Sequence, residues 1–320
     1  MGILGIFNWL KPAPPLDAAT QALIGRAVAM VDPMMKQVGG HERKLAPTVR
    51  TAYDYCERLA LAIPGPFPIS RAAFASDPLV HALFGSADDV EAMLATSKCV
   101  RDYLDEQTGI PPDHCCALLG MRPKITAGFG ARLAGEVILR DEPQKTLTFA
   151  DHTLAEPSPD LDAVHLRLAG TMFDGLIKGF IAHVDEVREE RQELRDAQAM
   201  ERAQLRAAGP ESHTRRLGEL QERLRLTGDT LQPERLIETL AAYLADPAAS
   251  LHIEPLRYWV NRFGILVEDE SERSRADALR FVELTTRDLR RWVVMIVKFD
   301  RTEARAIIER FEERRRYIVI

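Results

Sequence analysis

The spacing of hydrophobic positions changes along the chain, and each change marks a different kind of element. Behind Asp17, the residues Ala22, Leu23, Ala27 and Met30 recur at helical spacing, which predicts a capped helix to about Val31. A second helix is expected to open at Pro47 and run through Tyr53, Cys56, Leu59 and Ala60 to Ile63. Pro64-Gly65-Pro66 stops it, and Phe67-Pro68 prolongs the loop. Asp77-Pro78 predicts a short helix to Phe84. Ser86 and Asp89 resemble a capping box ahead of a helix carrying Val90, Met93, Leu94, Val100 and Leu104, with Gly109 at its end. Asp113 is placed to cap a last turn over His114, Cys115 and Cys116. Residues 16–121 therefore read as a helical region.

Over residues 122–156 the period becomes two. Lys145, Leu147 and Phe149 alternate with Thr146 and Thr148, and strands are expected at Ile125–Leu133, Glu136–Arg140 and Gln144–Ala150. Ala134-Gly135 and Glu142-Pro143 sit where turns would fall, giving an antiparallel β meander that needs helices to pack against.

Helical spacing returns after Pro159-Asp160 with Leu161, Val164, Leu168, Met172, Leu176, Phe180, Val184 and Val187. Beyond Val187 the same stripe meets Arg191, Gln198 and Glu201 among Leu194 and Leu205, so its seam is partly polar. Gly209-Pro210 breaks the helix, and Leu217, Leu220 and Leu224 supply a matching seam. Residues 157–232 are thus read as a long helix and a coiled-coil hairpin, projecting at about 180–226, with Leu194, Leu205, Leu217, Leu220 and Leu224 facing one another. An ordinary solvated helix pair is the plainer alternative.

The remaining α+β region, 233–320, opens with a helix from Pro233 to Ala245. Strand candidates follow at Ser250–Glu254, Leu256–Val260, Ile265–Glu268, Leu279–Thr286 and Trp292–Phe299. Asp300 and Glu303 cap a terminal helix through Ile307, Ile308 and Phe311 that ends in Arg314-Arg315-Arg316. The fold class is α+β: a helical N-terminal region, a meander, a helical hairpin and a C-terminal β-rich region with a terminal helix.

Residues 1–15 stand apart. Met1 to Leu10 reads MGILGIFNWL, and Lys11-Pro12 with Pro14 and Pro15 forms a stiff spacer after it. As a helix, Ile3, Phe7 and Leu10 share a stripe that Trp9 widens. Two readings follow: contact with a membrane surface or a partner, or a terminal helix laid on the protein's own core. Nothing basic precedes the apolar run, so it lacks the form of a secretory signal, and Ile6 stands where a myristoylation motif needs Ser or Thr.

Composition narrows the classes. Of 320 residues, 46% are hydrophobic and 28% charged, which suits a globular chain. A net charge of −6 argues against nucleic acid as a partner, since phosphate neutralisation needs a basic footprint. Four cysteines, Cys56, Cys99, Cys115 and Cys116, form no disulfide framework and point to a reducing, cytoplasmic setting. No run of about 18 apolar residues is present to span a membrane.

Motifs with chemistry are sparse. The phosphate loop, the Cys-x2-Cys pair, the His-Glu-x2-His pair and the Gly-x-Ser-x-Gly elbow are all missing, and Gly128-Phe129-Gly130 lacks the third glycine of a dinucleotide fingerprint. No cofactor is expected. His114-Cys115-Cys116 is the one thiol–imidazole cluster; soft ligands suit zinc or copper, but neighbours in a helical turn point about 100° apart. Asp151-His152 at a strand end has the residue types of an acid–base pair, with a turn or strand-end role as the plainer reading. Arg140-Asp141 and Gln144 add to the polar groups of the meander.

The stretch Cys116-Ala117-Leu118-Leu119-Gly120-Met121, with Phe129-Gly130, Gly135-Glu136-Val137-Ile138, Arg140-Asp141, Gln144 and Phe149-Ala150-Asp151-His152, resembles a family of uncharacterised proteobacterial proteins. The resemblance covers about residues 114–173. It implies a bacterial cytoplasmic protein and carries over no functional residue. Two functions are expected on these grounds. The first is a non-enzymatic interaction or scaffold protein, peripheral to the inner membrane through residues 1–10 and reaching a protein partner, or a second copy, through the 180–226 hairpin. The alternative is an enzyme or small-molecule sensor with its site at the strand ends of the 122–156 meander.

Overall fold

The computed structural model describes residues 16–106, 112–134, 137–208, 213–261, 263–286 and 291–317; the apolar N-terminal segment lies outside them. The class is α+β, with an antiparallel sheet and many helices. The chain divides into two compact units, residues 1–55 with 172–247 and residues 56–171 with 248–320.

The first unit is helical. Helix α1 (Ala18–Val31) opens where the Asp17 side chain accepts from Thr20 N at 2.8 Å. Helix α2 (His41–Ala62) follows a tight turn at Gly40, whose φ of 74° favours glycine. Pro47 does not open α2 but sits inside it. The helix starts at His41 because the Gly39-Gly40 turn, not the proline, sets its entry. Ile24, Val28, Met35, Leu45 and Val49 are buried, as are Phe173, Ile177 and Phe180 of α7 (Leu161–Ala208) and Leu236, Ile237, Leu240 and Leu244 of α9 (Pro233–Ala245). Tyr53 meets Phe173 edge-on at 5.9 Å, and Tyr243 packs on Phe180 at 5.5 Å.

Helix α8 (His213–Thr230) runs antiparallel to the end of α7. Arg223 bonds Glu190 at 2.7 Å and Arg216 reaches Glu201 at 3.6 Å, so positions rise on one helix as they fall on the other. Leu194 and Leu220 are buried between them, while Leu205, Leu217 and Leu224 are half-buried.

The second unit is a sheet with helices. Its antiparallel order is β3 (Val137–Ser158), β2 (His114–Ala134), β6 (Arg291–Asp300), β5 (Asp277–Thr286), β4 (Leu251–Val260); the short β1 (Phe67–Pro68) pairs parallel with β6. Strict alternation sorts the two sheet faces. Cys115, Ala117, Leu119 and Met121 share the core with Val293, Met295, Val297 and Phe299. Leu147, Phe149, Leu154, Leu279 and Phe281 join them from β3 and β5. Helices α3 (Arg71–Ser76), α4 (Pro78–Leu83), α5 (Ala87–Thr96), α6 (Lys98–Glu106) and α10 (Arg301–Tyr317) cover this face with Val80, Leu83, Val90, Leu94, Val100, Leu104 and Ile307.

Several expectations are corrected in this unit. The helical region does not extend to residue 121, because His114-Cys115-Cys116 open β2 and pair with Asp300, Phe299 and Lys298 of β6. The single helix expected through Val90 and Leu104 is two, broken at Ser97. The expected three-stranded meander is one long hairpin, in which Glu142 and Pro143 stay in register with Gly130 and Phe129. What resembled a turn is a β-bulge. Asp141, Asp151 and Glu156 have φ values of 58°, 56° and 51°, and the β2–β3 register shifts beside each of them. Proline is tolerated at 143, where β3 is an edge strand, and Pro255 sits likewise inside the other edge strand, β4. That makes β4 one strand where two were expected.

Residues 265–268, expected as a strand, instead tie the two sheet edges together. Val267 N donates to Trp259 O at 2.8 Å, Leu266 N to Lys145 O at 2.8 Å, and Leu147 N to Gly264 O at 2.9 Å. The edges of β3 and β4 therefore meet through one turn, which also reduces the length of open edge.

Candidate functional site

Where those edges meet, the second unit holds an open cleft of about 690 Å³. Its walls come from the α3–α4 junction (Phe74 to Gly85), from Thr146–Phe149 of β3, from the end of β4 (Val260, Asn261, Phe263 and Gly264) and from Asp277 at the start of β5. The volume is that of sites for drug-sized molecules.

Local chemistry fixes each wall. Ser70 caps α3 by accepting from Ala73 N at 3.0 Å. Asp77 ends α3 and caps α4, its Oδ1 accepting from Leu79 N at 2.8 Å, while Pro78 supplies a preset φ at the first helical position. The second oxygen of Asp77 has no partner among the described residues. In the turn after β4, Asn261 Oδ1 accepts from Phe263 N at 2.9 Å and Ile265 N at 3.1 Å. Gly264 completes the turn at φ 73°, and a Cβ there would lie 3.5 Å from Leu147 O. The outcome is a phenylalanine held at the lip, 67% exposed.

Four phenylalanines, Phe74, Phe84, Phe149 and Phe263, dominate the apolar walls with Leu83, Leu147 and Val260. Phe149 packs edge-on against Phe281 at 5.2 Å, and Phe74 lies 4.8 Å from the His81 ring. Behind the cleft, His152 stacks on Phe84 at 4.6 Å and donates its Nε2–H to Leu83 O at 2.8 Å. That bond fixes the tautomer, because a carbonyl can only accept. Burial pushes the His152 pKa down, against the Leu83 bond and the nearby Asp89 and Asp151 charges.

The residues singled out in the sequence fall elsewhere. Asp151 and His152 are neighbours at one bulge but serve different partners: Asp151 lies 3.4 Å from Arg122, which stacks over Trp292 at 4.7 Å. Neither lines the cleft; His152 supports its wall from behind. His114, Cys115 and Cys116 do not converge, since alternation along β2 sends Cys115 into the core and its neighbours to the other face. His114 is exposed, 3.9 Å from Asp300. Among the described residues no group of three His, Cys, Asp or Glu side chains is placed to hold a metal. Ile3, Phe7, Trp9 and Leu10 lie outside the described residues. Among the described helices none is long and apolar enough to cross a membrane.

Sequence reasoning pointed to this hairpin but not to Phe74, His81 or Phe263. The one local signal was Asn261 three residues before Gly264, the ends of a turn. No family model, curated protein or solved structure matches the chain.

Proposed function

We propose that this is a non-enzymatic binding protein whose cleft in the second unit takes up a small, mainly apolar molecule. The cleft itself carries the reading: about 690 Å³ walled by four phenylalanines, with polar side chains such as Asp77, His81, Thr146, Thr148 and Asp277 set among them. Thr146–Phe149 in its wall belong to the β2–β3 hairpin, but within β3 and not at the strand ends where a small-molecule site was expected. Among the described residues the titratable side chains of its lining are Asp77, His81 and Asp277. Four free thiols suit a reducing, bacterial cytoplasmic setting. Titration of the whole protein with neutral naphthylmethanol, followed by fluorescence, tests the reading. Saturable binding at one site is expected, and its absence overturns the proposal.

A protein partner at the α7–α8 pair is a second reading, favoured by exposed Met200 (65%) and Leu226 (51%) on those helices. Pull-down from a bacterial lysate with and without residues 180–226 tests it. Equal capture by both forms removes it.

A further inference from the structure

We infer that the ligand of the cleft carries a positive charge: a protonated amine, or another compact cation, on an aromatic or apolar body. The inference rests on the cleft reading and adds the ligand's charge. Three observations meet in it.

The first is the charge of the lining. Asp77 and Asp277 are its two carboxylates, and no lysine or arginine stands among the described lining residues. The second is that both carboxylates have capacity to spare. Asp77 gives one oxygen to the α4 cap and keeps the other, and the Asp277 side chain makes no ion pair or hydrogen bond to a described residue. Asn261, by contrast, spends its carbonyl on two backbone donors of its own turn. Among the acceptors left in the site are thus carboxylate oxygens, which are best matched by a charged donor. The third is the aromatic wall. Phenylalanine faces carry partial negative charge, and a cation within about 6 Å of such a face is attracted to it. Phe74, half-buried, and Phe263, exposed, therefore offer their faces to both halves of an aryl amine, its ring and its ammonium group.

A ligand of opposite charge would meet two carboxylates with no described counter-charge, so the site discriminates by repulsion as well as attraction. Asp277 is exposed and Asp77 half-buried, which keeps the expected preference modest.

The test uses three fluorescent probes of nearly equal shape on the full chain at neutral pH: naphthylmethylamine, naphthylmethanol and naphthoate. The amine is expected to bind about fivefold more tightly than the alcohol, with naphthoate weakest. Asp277→Asn is expected to reduce the amine's advantage over the alcohol from about fivefold to about twofold, and raised salt to act in the same direction. Equal affinity for amine and alcohol overturns the charge inference and leaves the apolar cleft standing. Tightest binding of naphthoate, lost in Arg262→Ala, overturns it too and identifies Arg262, which lies outside the described residues, as the charge reader. Failure of all three probes removes the cleft reading along with it.

Discussion

His152 packs its ring on Phe84 and spends one N–H on the Leu83 carbonyl, so the folded state prefers it neutral. An unfolded chain has no such preference. As pH falls below about 6.5, the unfolded histidine takes up a proton that the folded one declines, and stability falls. Above that pH both states are neutral and the effect vanishes. Denaturation at several pH values should show His152→Gln losing part of the wild-type slope below pH 6.5, a part no larger than about 1.4 kcal/mol per pH unit. An unchanged slope would mean that His152 is equally neutral or equally charged in both states. The cysteines invite a second measurement. Burial pushes Cys56 up to about 12 and Cys115 up to about 11, whereas Cys99 is only half-buried. Alkylation of the native protein should therefore label Cys99 first and reach Cys56, Cys115 and Cys116 only in denaturant, as peptide mass spectrometry can show. Side-chain identity made both residues conspicuous in the sequence; it could not show that Asp151 turns to Arg122 while His152 backs a cleft, because a bulge sets those directions.

Elements were legible where periodicity and punctuation agreed. Pro233 and the run of leucines through Leu240 to Leu244 give α9 as expected, and Asp77-Pro78 opens α4 as expected. They misled where punctuation had another cause. Pro143 and Pro255 interrupt nothing, because an edge strand has one side on which a missing N–H costs no partner. Pro47 marks no boundary, because the Gly39-Gly40 turn had already started the helix. Gly264 is the sharpest case of a residue set by its element: at φ 73° a Cβ is strained whatever the space. Gly264→Ala should cost about 1–2 kcal/mol in chemical denaturation and loosen amide protection at Leu147 and Leu266, whose bonds join β3 to the turn. The α7–α8 pair allows a parallel argument. Leu220 is 9% exposed and faces a partly polar seam in which Glu201 is buried beside Arg216. Leu220→Glu should lose about 1.5–3 kcal/mol of local burial, seen as faster hydrogen exchange in α8, with exchange in β2 and β6 unchanged.

At the scale of the molecule, the cleft shows why a site can be invisible in a chain whose elements are largely readable. Its walls are drawn from α3–α4 (Phe74 and Asp77 among them), Thr146–Phe149, Val260, Asn261, Phe263, Gly264 and Asp277, and only the pairing of Leu147 and Lys145 with the turn after β4 brings them together. No local pattern encodes that pairing; Phe263 in sequence is one aromatic among twelve phenylalanines. In the structure it is a large apolar side chain held 67% exposed by a turn built from Asn261 and Gly264. Such exposure gives the fold little, since most of that ring's area stays in water. Phe263→Ala should therefore leave the melting transition within about 0.5 kcal/mol of the parent. Its effect on ligand uptake should be larger, because a bound molecule would cover the area that folding leaves bare. Naphthylmethanol affinity is expected to drop about three- to tenfold, which corresponds to losing roughly 1 kcal/mol of apolar contact. If stability falls and affinity does not, Phe263 is part of the core and the lip of the cleft is not a ligand contact.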